Sequence, residues 1–114
     1  MLGYAITSME LATYHSAQDI LLGTSPTELA RWETSLDRLV TPGAPPMFLW
    51  HTAEDAYVQP EHSYRLAAAL SAAGQPHALH VFTHGPHSLG LAKGAGRAEQ
   101  WTTLAAAWLA EVAA

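Results

Sequence analysis

Three short apolar runs divide this chain of 114 residues. They span residues 2–6, 47–50 and 79–82. The second run follows a connector, residues 41–46, whose three prolines cannot belong to a helix or to a central strand. Because a continuous apolar run next to such breakers is typical of a strand covered on both faces, we predict three strands of a parallel sheet. Residues 7–17 turn polar and are predicted to form an irregular loop.

Short helices are predicted between the first and second strands. The Ser-Pro-Thr-Glu sequence at residues 25–28 predicts a helix that begins at a Ser25 cap. Leu29 and Trp32 would form the apolar side of this helix. The hydroxyl of Ser35 predicts the cap of a further helical turn.

Two longer helices complete the pattern. Residues 61–73 are good helix formers, and Gly74 is placed to end that helix. Apolar residues at three- and four-residue spacing predict a last helix with one apolar face, which consists of Trp101, Leu104, Ala105, Trp108, Leu109 and Val112. Strands alternating with helices are typical of an α/β protein. We therefore predict one α/β domain over residues 1–114, with about three parallel strands and flanking helices.

Composition narrows the range of functions. Ten acidic residues against five basic ones, with no basic cluster, argue against a nucleic-acid partner. The chain has no cysteine, which excludes disulfides and cysteine-bound zinc. Its first residues contain neither a basic segment nor a long apolar stretch, so we predict no signal peptide and no membrane partner. Without a targeting signal, the default expectation is a cytoplasmic location, and the localisation of the natural protein stays open.

The candidate chemistry follows the second and third strands. In an open parallel sheet, ligands bind at the carboxyl ends of the strands. Asp55 follows the second strand and His87 follows the third, so both lie at the same rim. Adjacent strands about 5 Å apart allow the carboxylate to reach the imidazole. We predict that Asp55 orients His87 as the acid and base of a nucleophilic triad.

The same residues have plainer interpretations. Taken alone, Asp55 also fits a turn or helix-capping acid, and His87 fits a loop histidine packed under glycine. His84 and His87 are three residues apart and, with His51 or His80, form a possible metal set. We predict no metal site, because Gly-Pro separates the first pair, and no cofactor. His51 and His80 are instead predicted to be buried, hydrogen-bonded structural histidines.

Two segments resemble a known family. Residues 45–58, PPMFLWHTAEDAYV, resemble the PP-x-F-x-x-HT-x-x-D-x-x-V segment of bacterial α/β-hydrolases related to acetylesterases and acetyl xylan esterases. Residues 78–82 and 85–91 are similar to the E-x-H-x-F and G-x-H-G-x-G-L runs of that family. The resemblance implies that the chain is the C-terminal portion of an α/β-hydrolase domain. It also implies that Asp55 is the triad acid and His87 the general base.

Two departures qualify what the resemblance implies. Ser88 stands where the family has glycine after the histidine, which leaves the base in place but alters its loop. No Gly-x-Ser-x-Gly nucleophile segment is present in these residues. We therefore expect the half of the domain that carries the nucleophile to be absent, the polypeptide to be a fragment, and the isolated chain to be inactive.

The resemblance implies an esterase-like serine hydrolase whose partner is a small-molecule ester, with acetylated carbohydrates as one substrate class. One alternative is a peptidase of the prolyl oligopeptidase type, whose last strands look much alike. A second alternative is a non-catalytic hydrolase remnant that acts as an interaction module. Such a module would bind a partner through its exposed edge strand. Loss of the upstream half leaves residues 2–6 as a bare apolar edge, through which we expect the chain to self-associate.

Overall fold

A parallel sheet of three strands is the centre of the molecule in a computed structural model of the chain. The structure describes the backbone of residues 1–114 and every side chain other than that of His15. The strands are β1 (Leu2–Gly3), β2 (Met47–Thr52) and β3 (His77–Phe82), and they lie in the order β1-β2-β3. The pairing runs from Met47 opposite His77 to Thr52 opposite Phe82, so β2 and β3 end at the same level.

Five helices flank the sheet in the described chain. They are α1 (His15–Leu22), α2 (Glu28–Glu33), α3 (Leu36–Leu39), α4 (Glu61–Ala72) and α5 (Trp101–Ala113), and a 3-10 turn (Gly96–Gln100) leads into α5. In the part of the chain that the structure describes, no helix has the length and apolar character needed to cross a membrane.

Strand β2 is buried on both faces because its side chains alternate between two apolar layers. Leu49 packs on one face against Leu66 and Leu70 of α4. Phe48 and Trp50 pack on the other face, where the neighbours from α5 and the loops are Tyr4, Leu89, Trp101, Leu104, Ala105 and Trp108. This alternation with a period of two explains why a wholly apolar run forms the central strand. The predicted α/β architecture is confirmed.

One glycine permits close packing beside β2. Gly3 in β1 faces the indole ring of Trp50, and a Cβ atom at Gly3 would overlap that ring. Trp50 also stacks on Trp101 of α5, with ring centroids 5.1 Å apart. Gly3 therefore allows β1 to lie next to β2 while the two indoles pack against each other.

The structure corrects several local predictions. The first strand is shorter than residues 2–6, and α1 occupies the end of the segment predicted as a loop and the residues after it. Ser25 does not cap α2: the N-cap is Thr27, whose hydroxyl accepts the backbone N–H of Ala30 at 3.0 Å. Ser35 stands at the N-cap of α3, but its side chain makes no capping hydrogen bond there. Its hydroxyl instead accepts the N–H of Met9 at 2.7 Å.

Four side chains on the predicted apolar faces of the helices are exposed. Leu29 and Trp32 of α2 are 63% and 45% exposed, and Leu109 and Val112 of α5 are 44% and 39% exposed. Helical spacing identifies one face of a helix, but it does not show how far the neighbouring elements extend over that face. Here the part of α5 that packs on the sheet ends at Trp108.

Leu66 is expected to be a stability determinant because its side chain is fully buried between α4 and β2. Leu66→Ala should lower the free energy of unfolding by about 2–5 kcal/mol, since a cavity replaces the lost side-chain atoms. Leu29→Ala is the matched control and should change it by less than about 0.5 kcal/mol. Urea unfolding followed by circular dichroism measures both. Equal effects of the two substitutions would contradict this packing.

Candidate active site

Asp55 is held by its own loop just after β2. A tight turn begins at Thr52, and the carboxylate of Asp55 is buried within it. Its Oδ1 atom accepts the backbone N–H groups of Tyr57 at 3.0 Å and of Val58 at 2.9 Å. These bonds satisfy one carboxylate oxygen and fix the orientation of the other, as in an Asx turn.

The loop that carries His87 is attached to the end of β2. The hydroxyl of Thr52 donates to the carbonyl of Gly85 at 2.7 Å, and a carboxylate oxygen of Glu54 accepts the N–H of Gly85 at 3.1 Å. Gly85 has a φ of +137°, and a Cβ there would lie 3.0 Å from the side chain of Leu89. Only glycine fits this backbone without strain. The loop after β3 is therefore held at Gly85, through both its carbonyl and its N–H group, before the chain reaches His87.

Asp55 and His87, the two residues predicted to form an acid–base pair, are in direct contact. The Nδ1 atom of His87 lies 2.6 Å from the Oδ2 atom of Asp55. Because a carboxylate accepts, the Nδ1 atom carries the proton, and Nε2 of the neutral ring is the basic nitrogen. The His87 side chain is 23% exposed, whereas that of Asp55 is fully buried. A short bond to a buried carboxylate is the geometry that orients a catalytic imidazole and stabilises its cation.

An open pocket of about 350 Å³ adjoins His87. Its lining consists of Ile6, Tyr14, Ala17, Tyr57, Val58 and His87. The rings of Tyr14 and Tyr57 meet edge to face at 5.5 Å, and the Tyr57 ring lies 6.1 Å from the imidazole of His87. A larger depression of about 750 Å³ lies over α2, but its lining includes neither Asp55 nor His87. Of these two pockets, the smaller one is therefore the one that adjoins the acid–base pair.

His51 is a buried, hydrogen-bonded histidine, as predicted. Its ring is inaccessible to solvent, with Nδ1 2.7 Å from the hydroxyl of Ser63 and Nε2 2.7 Å from the carbonyl of Val58. Burial is the main cause that lowers the pKa of His51, so the ring is neutral at physiological pH. His80 is half-buried, with its ring 5.3 Å from that of Phe48.

The other histidines do not form the metal set considered from sequence. His84 lies 2.9 Å from Glu54, whereas His87 lies against Asp55, so the two rings face different carboxylates. Among the residues with described side chains, no group of three or more potential ligands is placed to hold a metal ion.

The pair of Glu54 and His84 was missed by the sequence analysis. Its Nδ1–Oε1 contact, on the exposed side of the site, connects the loops after β2 and β3. The hydrogen bond with His84 is the main cause that holds the pKa of Glu54 below its ordinary value, and the N–H of Gly85 adds to it. Glu54 directly precedes Asp55 within residues 45–58, but no sequence spacing relates Glu54 to His84.

His62 was also missed, although it fixes the loop after β1. Its Nδ1 atom accepts the backbone N–H groups of Thr7 and Ser8, both at 3.2 Å. Its Nε2 atom lies 3.0 Å from the carbonyl of Ala12 and, being protonated in this tautomer, donates to it. A lone histidine in the first turn of a helix carries no sequence signal for such a long-range role.

Comparison with known proteins places this architecture in a family. The sequence profile of the Prolyl oligopeptidase family matches residues 4–114. The chain belongs to this family. It is 36% identical over 92 residues to endo-1,4-beta-xylanase B of Butyrivibrio fibrisolvens, a match that covers 81% of this chain and 14% of that protein.

Two solved structures of ester hydrolases are similar to the present chain. The acetyl ester-xyloside bifunctional hydrolase of Caldicellulosiruptor lactoaceticus is 36% identical with a TM-score of 0.93, over 98% of this chain and 42% of that one. A carboxylesterase of Lactobacillus plantarum is 30% identical with a TM-score of 0.78, over 98% of this chain and 44% of that one. These likenesses confirm the predicted α/β-hydrolase fold and the esterase-like resemblance. The chain spans less than half the length of each of these relatives.

Removing His84 is expected to raise the pKa of Glu54 in this site. In His84→Ala, the pKa should rise towards its ordinary value but not reach it, because the N–H of Gly85 still donates. A carboxyl NMR titration measures the change. A carboxylate whose pKa is lowered stabilises the fold above its ordinary pKa, and this contribution is lost as pH falls through the lowered value.

Glu10 is the control for this titration. The hydrogen bond with Arg38 is the main cause that lowers its pKa, and His84 is not among the groups that act on it. The pKa of Glu10 should therefore be equal in the wild type and in His84→Ala. An unchanged pKa of Glu54 in the variant would contradict the described pair.

Proposed function

We propose that this chain is the acid–base half of a serine hydrolase that cleaves carboxylic esters. The observation that carries the proposal is the 2.6 Å contact between Nδ1 of His87 and Oδ2 of the buried Asp55. Two backbone N–H groups fix that carboxylate, and two hydrogen bonds to Gly85 fix the loop of the imidazole. A structural ion pair needs neither this preorganisation nor an adjoining pocket, whereas a catalytic pair needs both.

The pair would act through the Nε2 atom of His87. In acylation, a serine Oγ bonds to the ester carbonyl carbon while Nε2 takes the hydroxyl proton. The same proton then passes to the leaving alcohol as the carbon–oxygen bond of the ester breaks. In deacylation, water attacks the acyl group and Nε2 takes its proton, which returns to the serine. Asp55 stays ionised and stabilises the imidazolium of His87 in both steps.

The nucleophile has to come from outside these residues. The sequence contains no Gly-x-Ser-x-Gly segment. Ser8, Ser35 and Ser63 are buried and bond to groups other than His87, and no serine with a described side chain forms a hydrogen bond with that ring. We therefore propose that residues 1–114 are the part of the domain that lacks the nucleophile, and that this part alone does not turn over esters.

Esters of carbohydrates are the substrate class we propose. The acetyl ester-xyloside hydrolase and the xylanase are relatives whose names point to xylose-containing substrates. The pocket beside His87 agrees with this class, because tyrosine rings such as Tyr14 and Tyr57 offer apolar faces and hydroxyl groups to a sugar ring. Peptide hydrolysis is the second candidate, since the family is that of prolyl oligopeptidase.

Ester hydrolysis by four forms of the protein tests the proposal. The forms are the 114-residue chain, a version extended upstream to any encoded Gly-x-Ser-x-Gly segment, and that longer version with Asp55→Asn or His87→Ala. With p-nitrophenyl acetate, only the longer wild-type form should be active. Each substitution should lower kcat by about 10⁴-fold, because the base is lost or loses its oriented tautomer.

Two outcomes would overturn the proposal. Activity of the short chain that depends on His87 would show that the nucleophile lies within residues 1–114. Activity of the longer form that is unaffected by either substitution would remove Asp55 and His87 from catalysis.

Other results would favour one of the alternative functions. A longer form that cleaves proline-containing peptides but not acetyl esters would favour the peptidase. Inactivity in every form on both substrates would favour the non-catalytic remnant, with β1 as its edge for association.

Tyr57 tests the proposed substrate class, because its half-exposed ring forms one wall of the pocket. In the longer form, Tyr57→Ala should raise KM for an acetylated xylo-oligosaccharide roughly two- to tenfold, the effect of losing one aromatic contact. KM for p-nitrophenyl acetate should change less. Tyr64→Ala, an exposed tyrosine on α4 that is not among the pocket residues, is the matched control. Equal KM effects of both substitutions on the sugar ester would contradict this placement.

A further inference from the structure

One buried histidine behind the acid–base pair has no part in the proton transfers described above. His51 lies in β2, four residues before Asp55, and its side chain is completely buried. Its Nε2 atom is 3.3 Å from Oδ2 of Asp55, the same oxygen that binds His87. Burying a polar ring is costly unless its nitrogen atoms are hydrogen-bonded. An apolar side chain of similar volume would fill a position that served packing alone.

The contacts of His51 determine where its proton lies. The Nε2 atom faces two acceptors, the carbonyl of Val58 at 2.7 Å and Oδ2 of Asp55 at 3.3 Å. An unprotonated Nε2 would place a lone pair against both oxygens, so Nε2 carries the hydrogen. The Nδ1 atom is then the acceptor, and the hydroxyl of Ser63 donates to it at 2.7 Å. Ser63 on α4 thereby satisfies the second nitrogen of His51 and holds that edge of the ring in place.

A continuous set of hydrogen bonds leads from α4 to the catalytic ring. Ser63 donates to His51, and Nε2–H of His51 donates to the carbonyl of Val58. The N–H of Val58 in turn donates to Oδ1 of Asp55 at 2.9 Å. The opposite oxygen of that carboxylate accepts the proton of His87. The orientation of the Val58 residue, and with it that of the carboxylate, therefore depends on the His51 ring.

We propose that His51 is a positioning residue that holds the Asp55 carboxylate for His87, through Val58 and through its own Nε2–H edge. The inference rests on the proposed function of Asp55 and His87. Burial lowers the pKa of His51, and this keeps the ring neutral. A neutral donor edge supports the carboxylate without adding a second cation that would compete with the His87 imidazolium.

NMR of the 114-residue chain tests this role without any ester hydrolysis. The readout is the exchange rate of the Nδ1 proton of His87, assigned by its absence in His87→Ala. His51→Phe keeps the ring shape but removes both nitrogens, and the His87 proton should exchange roughly tenfold faster or vanish. His51→Gln places an amide N–H the same number of bonds from the backbone, and it should restore slow exchange. Circular dichroism establishes that each variant is folded.

Ser63→Ala keeps the inference testable if His51→Phe does not fold. This substitution removes one buried hydroxyl and should also speed the exchange of the His87 proton, because the His51 ring loses the hydrogen bond that holds its Nδ1 edge. If His51 were merely structural, these substitutions would lower the unfolding midpoint but leave the exchange rate of the His87 proton unchanged. Wild-type exchange in folded His51→Phe or Ser63→Ala would therefore overturn the inference, as would fast exchange in His51→Gln. None of these results depends on whether the longer protein hydrolyses esters, so the two proposals can fail separately.

Discussion

The site depends on one geometrical constraint: two parallel strands that end level with each other. Thr52 and Phe82 are paired as the last residues of β2 and β3. The chain leaves both strands at the same rim, so a carboxylate three residues beyond one and an imidazole five residues beyond the other meet at 2.6 Å. A shift of either strand by one residue would turn the side chains of that strand to the opposite face and separate the pair. The apolar layers on both sides of β2 hold this register.

Much of the fold and the central pair could be predicted from the sequence, because both depend on local patterns. Breakers and apolar runs locate the strands, and the segments after them contain Asp55 and His87 at family spacing. The contacts of the site that were missed involve partners that are distant in sequence. His62 contacts residues more than fifty positions away, and Glu54 meets His84 thirty positions on. No periodicity encodes such contacts. Periodicity also does not show how far the sheet extends along the apolar face of α5.

Buried histidines have a common role in this small domain. His51 and His62 each use both ring nitrogens to bind groups from other segments of the chain. A neutral imidazole offers one donor and one acceptor in a rigid ring, so it can join two loops that a hydroxyl could not span. His62 holds the loop after β1, and His51 holds the loop that contains Asp55. Together with the Thr52–Gly85 hydrogen bond, the two histidines fix the loops that surround His87.

Covalent labelling by a fluorophosphonate tests the central claim most directly, because the reagent reports an activated serine without substrate binding or turnover. Intact mass is measured for the 114-residue chain and for the form extended upstream to an encoded Gly-x-Ser-x-Gly segment. We expect one label per molecule on the serine of that segment in the longer form and none on the short chain. Labelling should slow greatly when Asp55 is replaced by Asn. Rapid labelling of the short chain, or labelling of the longer form at the same rate with Asn at position 55, would contradict the central claim.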